Sequence, residues 1–543
     1  MDFSRHIQEN LQKILGEEAQ VRLQHPGVAE HGDYSTNVAM TLGGNPKEKA
    51  EEIKTKYEEL GDEAVERVEV AGPGFVNFFL SKDALLNGLK QFDTINLSSD
   101  LKGKTVVVDY SGPNIAKFFS IGHLRSTIIG QAVYNLYSAL GAKVIGDNHL
   151  GDWGRQFGVL LYQLDKKKLE PYLLGVEELE KLYVEFNEEA KDNPDLWDGP
   201  REWFQKLEQG DENARETWKQ LRHVSLEEFD RIYKMLGVEI DYSYGESFYE
   251  DIMSEVVDEC IKKGIAKESQ GALIVEFDDM GPAILRKSDD TTNYFTRDLA
   301  TIKFRLKEWN PDLVIYEVGA EQILHFKQLF KTAERLGWAN KEKFYHIPHG
   351  LYLSPNGKKF STRKGDVVRL EDVLLEAVDR AGKLGKTGNE AVARAVGIGA
   401  VKYYDLSHQP QSDIVFDWEK VFALEGNSAP YIQYTYARTQ SVLAKASPGD
   451  VGKVEVNEQE LELLRFYYRY SEIIEAAAKS YSPNLLANYL FELAQKYNHF
   501  YNTNRILDAG GERKELRLAL TSVVGDILKS GLNILGIEAP ERM

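Results

Sequence analysis

The chain is expected to be an α/β protein: a Rossmann-type parallel-sheet domain, preceded by a small N-terminal α+β domain and followed by a C-terminal all-α helical bundle. Three observations carry this. A valine-rich strand, a long helix with an apolar stripe and a second strand follow one another from 104 to 151, the βαβ pattern of a parallel sheet with a right-handed crossover. The same rhythm returns from about 312 to 353. Beyond about 370 the helical period continues to the end of the chain.

Residues 1 to about 100 open with a helical pattern, FSRHIQENLQKILG, and close with VERVEVAGPGFVNFFLS, alternating valines that run through a Gly-Pro-Gly turn into an aromatic strand. From Lys104, TVVVDY reads as a buried strand, IGHLRSTIIGQAVYNLYSALG as a helix ending on Gly141, and AKVIGDNHLG as a second strand. Leu124, Ile128, Ala132, Leu136 and Leu140 recur every four residues and give that helix a face to lay on a sheet. The stretch from about 160 to 270 is charged and helical and reads as an insertion. DLVIYEV, EQILHFKQLFKTAERLG and KFYHIPHGLYL then supply the second strand-helix-strand half. With roughly 150 residues per domain as a guide, the organisation expected is 1–100, 101–370 with the insertion inside it, a helical connector 371–420, and a helical domain 421–543.

With 42% hydrophobic and 28% charged residues the chain can bury real cores. Its net charge of -20 argues at first against a polyanionic partner, but only the field at a contact surface matters. Residues 161–220 carry 9 Lys and Arg against 16 Asp and Glu, whereas 421–543 carry 13 against 15, so the C-terminal part is nearly neutral. That part holds 10 of the 28 tyrosines; helix packing accounts for more than half of them, and the remainder suit stacking surfaces. The single cysteine, Cys260, excludes an intramolecular disulfide and a cysteine-based zinc cluster. No apolar run approaches 18 residues and the N-terminus lacks an apolar signal core, which predicts a soluble, cytoplasmic protein.

Ligands of an open parallel sheet bind beyond the carboxyl ends of its strands. The loop YSGPNIAKFFSIG sits there, and the helix starting near Gly122 directs its free N–H groups and positive dipole end back at it. Gly122 lets a phosphate or ribose approach the backbone, His123 can donate to a phosphate oxygen, and Lys117 and Arg125 add positive charge. On these residues alone, a capping glycine with a half-buried histidine is an equal reading. The second half-sheet ends in NGKKFSTRKGD, residues 356–366, where Lys358, Lys359, Arg363 and Lys364 flank Ser361 and Thr362. A lysine run is usually a solvated loop, but at this place it can close over the far side of the same nucleotide.

SIGHLRST resembles the His-x-Gly-His motif, and KFSTR the Lys-Met-Ser-Lys-Ser motif, of class I aminoacyl-tRNA synthetases. PNIAK, NHLGDWGRQFG, LGVEIDYSYGESFY, NYFTRDLATIKFR, VGAEQILHFKQLF and EGNSAPYIQYTYAR, in that order, resemble the arginyl-tRNA synthetase family, and HGDYSTNVAM and GPGFVNFFL are similar to its appended N-terminal domain. The resemblance runs from about residue 30 to Met543.

It implies ATP-dependent activation of L-arginine to an enzyme-bound adenylate, then transfer to the 3′-terminal adenosine of tRNA-Arg, in a monomer that uses ATP with Mg2+ as a substrate complex, holds no tightly bound metal of its own and engages neither DNA nor membrane. By resemblance Lys117, His123, Lys359 and Ser361 carry the chemistry, and Ser120, Gly122, Thr362 and Arg363 complete the ATP site. Ser120 stands where the family usually has histidine, and Thr362 where many class I enzymes carry a second lysine; Lys117 is placed to supply the missing charge. Tyr294 and Asp298, four apart and so on one helical face, bind the guanidinium, with Asp109, Asn114 and Gln322 around the substrate; Asp109 replaces the family's usual glutamate. A planar cation with five donors suits carboxylates, amide oxygens and a flat aromatic face. Tyr431, Tyr434 and Arg438, at i, i+3 and i+7, together with Tyr501 and Met543, would meet an anticodon loop; Phe75 and Asn77 match residues that touch the outer corner of the tRNA. Two rivals stay open on the sequence: a tRNA-independent adenylyltransferase, which would not need the terminal domains, and a non-catalytic tRNA-binding paralogue, which Ser120 favours.

Overall fold

The structure, a computed structural model, describes residues 2–94, 97, 101–288, 293–354, 368–385 and 389–543. The N-terminal segment begins with helix Phe3–Leu15, capped by the Asp2 carboxylate on the Arg5 N–H. Strands Val65–Ala71 and Phe75–Leu80 form the expected hairpin, and Tyr34–Thr36 pairs antiparallel on the other edge of Phe75–Leu80. Gly74, at φ +139°, is required at the turn: a Cβ there would fall 2.9 Å from Pro46 Cβ.

The central sheet has four parallel strands in the spatial order Phe344–His349, Leu313–Gly319, Thr105–Asp109, Lys143–Asp147. Val106, Val107 and Val108 are at most 1% exposed, as a strand covered on both faces requires. The chain leaves the Thr105–Asp109 strand toward one side and returns on the other, so the sheet's switch point lies between that strand and Leu313–Gly319.

Helix Gly122–Ala139 follows the first strand, and every residue of its predicted stripe is buried. The stripe understates the burial: Arg125, Ser126, Thr127 and Gln131 are also buried, because helices Glu390–Leu406, Arg469–Lys479 and Gly511–Ile534 pack on its other side. Gly130 marks the closest approach to the first strand's end, where a Cβ would lie 2.2 Å from Tyr110 Cβ.

The charged stretch contains helices Arg155–Lys167, Val176–Asp192, Asp198–Glu208, Glu212–Leu236 and Glu250–Lys262. Three short antiparallel strands that the helical reading did not anticipate follow, Ala266–Ser269, Ala272–Val275 and Ala283–Arg286. Each is only four residues long, and AKES, ALIV and AILR do not alternate apolar with polar residues.

Past residue 370 the described residues form helices joined by loops, as expected, apart from Ile414–Val415, which pairs in parallel with Tyr352–Leu353. Helices Ala429–Leu443, Glu458–Leu464, Arg469–Lys479, Asn484–Thr503 and Gly511–Ile534 form the C-terminal bundle. Six of its ten tyrosines, at 436, 467, 468, 470, 489 and 497, are buried among these helices. The N-terminal segment docks on the same bundle: Tyr467 Oη donates to the Leu85 carbonyl at 2.9 Å, and Glu472 accepts from Tyr34 Oη at 2.5 Å and pairs with His25 at 3.0 Å.

Candidate active site

The strands diverge at the switch point over a cavity of about 810 Å³, walled by the ends of the first and third strands, the start of helix Gly122–Ala139, helix Tyr294–Trp309, the turn Ala320–Gln322 with the start of helix Ile323–Arg335, and residues 349–352. Ser120, Gly122, His123, Asp109, Tyr294, Asp298 and Gln322 all line it.

At the helix start the His123 and Leu124 N–H groups already donate to the Ser120 and Ile121 carbonyls at 3.0 and 3.1 Å; among the described residues no side chain caps the helix, and the one atom within 4 Å of a Cβ built on Gly122 would be Ser120 Oγ at 3.4 Å. Among the described residues it is the Gly122 backbone that is left open to the cavity. His123 is half-buried against the edge of Phe119, and its Nδ1 accepts the Ser120 backbone N–H at 3.1 Å with Ser120 Oγ also at 3.1 Å. An Nδ1 that accepts cannot carry the proton in the neutral ring, so Nε2 does. Both features read from the sequence thus coexist: the histidine is half-buried and is set as an Nε2–H donor. Ser120 keeps a role here without charge, by orienting the imidazole.

Of the two positive charges expected here, Arg125 lines the cavity and Lys117 does not. Arg125 is 1% exposed, its Nε 3.2 Å from Asp405 and its Nη1 donating to the Ser412 carbonyl at 2.6 Å; it ties the helix to the connector. Lys117 lies outside the cavity lining, its Nζ 5.7 Å from the ring centroid of Tyr183 in the insertion. Lys359, Ser361, Thr362 and Arg363 lie outside the described residues.

On the opposite wall, Asn293 caps helix Tyr294–Trp309 through a 3.1 Å bond to the Phe295 N–H, which puts Tyr294 and Asp298 on successive turns of one face. The Tyr294 ring is 58% exposed, a flat aromatic surface at the mouth. Asp298 is gripped by two histidines that sequence reasoning assigned no role: His325 Nε2 donates to Oδ2 at 2.6 Å and His149 Nε2 stands 3.4 Å from Oδ1. Burial pushes the Asp298 carboxyl up, but the close approach of His149, the His325 bond and the charge of both rings outweigh it and hold the group well below the usual carboxylate range. Burial pulls His149 down, and the Asp298 carboxylate, with Asp109 beyond it, raises it to about 9. No local signal links these residues, because 27 positions separate Asp298 from His325.

Asp109 reaches the cavity floor with its Oδ2 2.8 Å from Arg305 Nη2. The buried Arg305 also pairs with Asp147 through Nε at 2.9 Å and Nη2 at 2.7 Å. One oxygen of Asp109 is therefore committed to the protein's own guanidinium. Asn114 lies outside the lining; its Oδ1 covers Gly151, where a Cβ would fall 2.1 Å away, and the two backbones bridge.

Away from the cavity, the Arg438 guanidinium sits 5.0 Å from the Tyr434 ring centroid and 4.7 Å from that of Tyr501. Both tyrosines are exposed, at 52% and 37%, so arginine and rings form an outward platform. Tyr431 instead packs edge-on against Phe491, and Met543 is 44% exposed. Phe75 is half-buried. Asn77 is 3% exposed and its Oδ1 accepts from Ser35 Oγ at 2.7 Å; it belongs to the core of the N-terminal sheet rather than to an outer surface. Among the described residues no helix is long and apolar enough to cross a membrane, and no three His, Cys, Asp or Glu side chains converge to hold a metal ion.

Three family models match the chain: the class I (R) tRNA synthetase catalytic domain over residues 85–418, the DALR anticodon binding domain over 432–543 and the arginyl tRNA synthetase N terminal domain over 1–80. Among curated proteins, the chain is 42% identical to an arginine--tRNA ligase of Fusobacterium nucleatum, covering 94% of this chain and 93% of that protein. It is 39% identical to one of Exiguobacterium sibiricum over the whole of both. Arginyl-tRNA synthetase structures from Plasmodium falciparum (TM-score 0.86, 24% identity, 100% of this chain and 99% of that one) and Thermus thermophilus (0.85, 23%, 99% and 100%) share the fold.

Proposed function

The chain belongs to the arginyl-tRNA synthetase family, and on that premise we propose how its cavity carries out the ligation of L-arginine to tRNA-Arg. The arginine carboxylate attacks the α-phosphorus of ATP, pyrophosphate leaves, and a hydroxyl of the 3′-terminal adenosine then takes the arginyl group and releases AMP. ATP enters as its magnesium complex, a substrate, and the protein needs no resident metal. The enzyme acts as a cytoplasmic monomer and engages neither DNA nor membrane.

The observation that carries this reading is the meeting of two unlike surfaces in one cavity. A helix N-terminus with an Nε2–H donor, at Gly122 and His123, faces a carboxylate, an amide and an aromatic ring, at Asp298, Gln322 and Tyr294. The first suits a triphosphate; the second suits a guanidinium. With both substrates held, the barrier falls by positioning and by stabilising charge at the α-phosphate. Lys359, Ser361, Thr362 and Arg363 would close on the pyrophosphate side. Lys117 contributes only by swinging off Tyr183. Asp109 senses the substrate from the floor with its remaining oxygen, and Asn114 supports the loop through Gly151. The Tyr434–Arg438–Tyr501 platform, with Tyr431 behind it and Met543 exposed, takes unstacked bases of the anticodon loop, and Phe75 offers the N-terminal contact.

The N-terminal and DALR matches count against a tRNA-independent transferase, and the grouping of His123, Tyr294 and Asp298 counts against a non-catalytic paralogue. Arginine-dependent pyrophosphate exchange, run with and without tRNA-Arg, tests the reading: exchange that requires arginine supports it, and no exchange under either condition overturns it.

A further inference from the structure

Asp298 has a partner before any substrate arrives. Two imidazoles approach its two oxygens from different elements: His325 from helix Ile323–Arg335, bonded at 2.6 Å, and His149 from the loop after the second strand, at 3.4 Å. The two contacts differ in kind. The His325 bond is short and directed. His149 makes no hydrogen bond of good geometry with either ring nitrogen, although its side chain is only 17% exposed and lines the cavity. It is held by charge more than by a bond, and charge is what an incoming guanidinium would replace.

The groups around His149 favour its cationic form while the site is empty. Asp298 faces it from helix Tyr294–Trp309, Asp109 from the end of the first strand and Asp147 from the end of its own. Glu246 lies near it on the turn Glu246–Tyr249, already paired with Arg297 at 2.7 Å, and the Tyr249 ring packs 5.6 Å away. Arg305, the opposing cation, is held between Asp109 and Asp147. A second cation delivered to Asp298 cancels the charge that sustains the first and adds a like charge beside it.

We propose that His149 is the internal cation that substrate arginine displaces from Asp298, so that arginine enters this site in exchange for a proton while His325 keeps the carboxylate aimed. His149 is thus a positioning and gating residue for the guanidinium pocket. The inference rests on the assignment of Asp298 to that pocket. It makes arginine affinity depend on pH through a group that does not touch ATP: Kd for arginine falls up to tenfold per pH unit wherever a whole proton is released, at pH values below about 9.

The test is calorimetric titration of the full chain with L-arginine at pH 7.5 in phosphate and in Tris, two buffers of different ionisation enthalpy, repeated on His149→Gln. Close to one proton released per arginine bound by the wild type, and close to none by His149→Gln, is the expected result. The wild-type comparison does not depend on the variant folding. Saturable arginine binding with the same heat in both buffers overturns the exchange and leaves the pocket assignment standing. Proton release that persists undiminished in a folded His149→Gln assigns it to another group and also overturns the proposal. No saturable binding of arginine in either buffer rejects the pocket assignment, and the exchange with it.

Discussion

Replacing Asp298 by asparagine keeps the shape of the side chain and deletes one charge from the arginine wall. Two unit charges about 4 Å apart at an effective dielectric of about 20 interact by roughly 4 kcal/mol, and the 24% exposure of the side chain leaves most of that unscreened. The wild-type site, however, already holds His149 and His325 against the carboxylate, so arginine replaces a partner instead of water. That lowers the expected net loss to about 2–4 kcal/mol, the range for truncating one member of a desolvated charge pair. At about 1.4 kcal/mol per decade, kcat/KM for arginine should fall roughly 30- to 1000-fold. Pyrophosphate exchange supported by tRNA-Arg, with arginine varied at saturating ATP and then the reverse, reads this directly. KM for ATP should move by less than about threefold, because no ATP contact is assigned to this wall. An Asp298→Asn protein that is folded and keeps its arginine kcat/KM within about fivefold would refute the assignment of the guanidinium to this carboxylate.

His123→Ala removes the Nε2–H donor and should lower kcat about 10²- to 10³-fold, the cost of losing one oriented donor at a developing charge, with arginine affinity little changed; a kcat within threefold of wild type contradicts it. Tyr434→Ala strips one face of the Arg438 platform and should raise KM for tRNA-Arg by roughly one to two decades, at about 1–3 kcal/mol per stacked base, which filter binding at two salt concentrations separates from loss of charge. Gly130→Ala forces a Cβ to within 2.2 Å of Tyr110 Cβ and should cost about 3 kcal/mol by overpacking, seen as a drop of several degrees in the first thermal transition; an unshifted transition refutes the close packing of helix on strand. His149 also gives the ligand-free protein a pH signature. Its folded pKa near 9 lies above an unfolded value of about 6.5, so the stability it contributes is fully present below pH ~6.5 and is lost as the pH rises through about 9. The Tm difference between wild type and His149→Gln should shrink from pH 6.5 to 9.5, and a constant difference contradicts the account.

The parallel sheet was legible because its strands are buried on both faces and therefore read as unbroken runs such as TVVVDY and DLVIYEV, and because the two half-sheets repeat the same order of elements. The helix at 122–139 was legible in position but not in burial, since its outer face is covered by helices some 270 to 390 residues further on, and no local period reports that. The strands at 266–286 escaped because AKES, ALIV and AILR do not alternate apolar with polar residues, so the two repeats that four residues allow carry no signal. Motif resemblance brought Ser120, Gly122, His123, Tyr294, Asp298 and Gln322 forward, and the structure gathers them round one cavity. What resemblance did not supply were the partners that set their chemistry: the Ser120–His123 bond that fixes a tautomer, the His149–Asp298–His325 clamp, and the Arg305 that occupies Asp109. The first joins residues three apart and depends on how the loop enters the helix; the other two depend on where strand ends and helices meet in space, and Asn77 is buried by pairing across strands with Ser35.

The measurement that tests the central claim most directly is aminoacylation of purified tRNA-Arg with labelled arginine and ATP by the wild type, His123→Ala and Asp298→Asn side by side. The account predicts charging by the wild type that depends on arginine and on ATP, with each variant losing at least about 30-fold through a different parameter, kcat for His123→Ala and arginine kcat/KM for Asp298→Asn. A wild type that binds tRNA-Arg without charging it, or two variants that charge as well as the wild type, would contradict it.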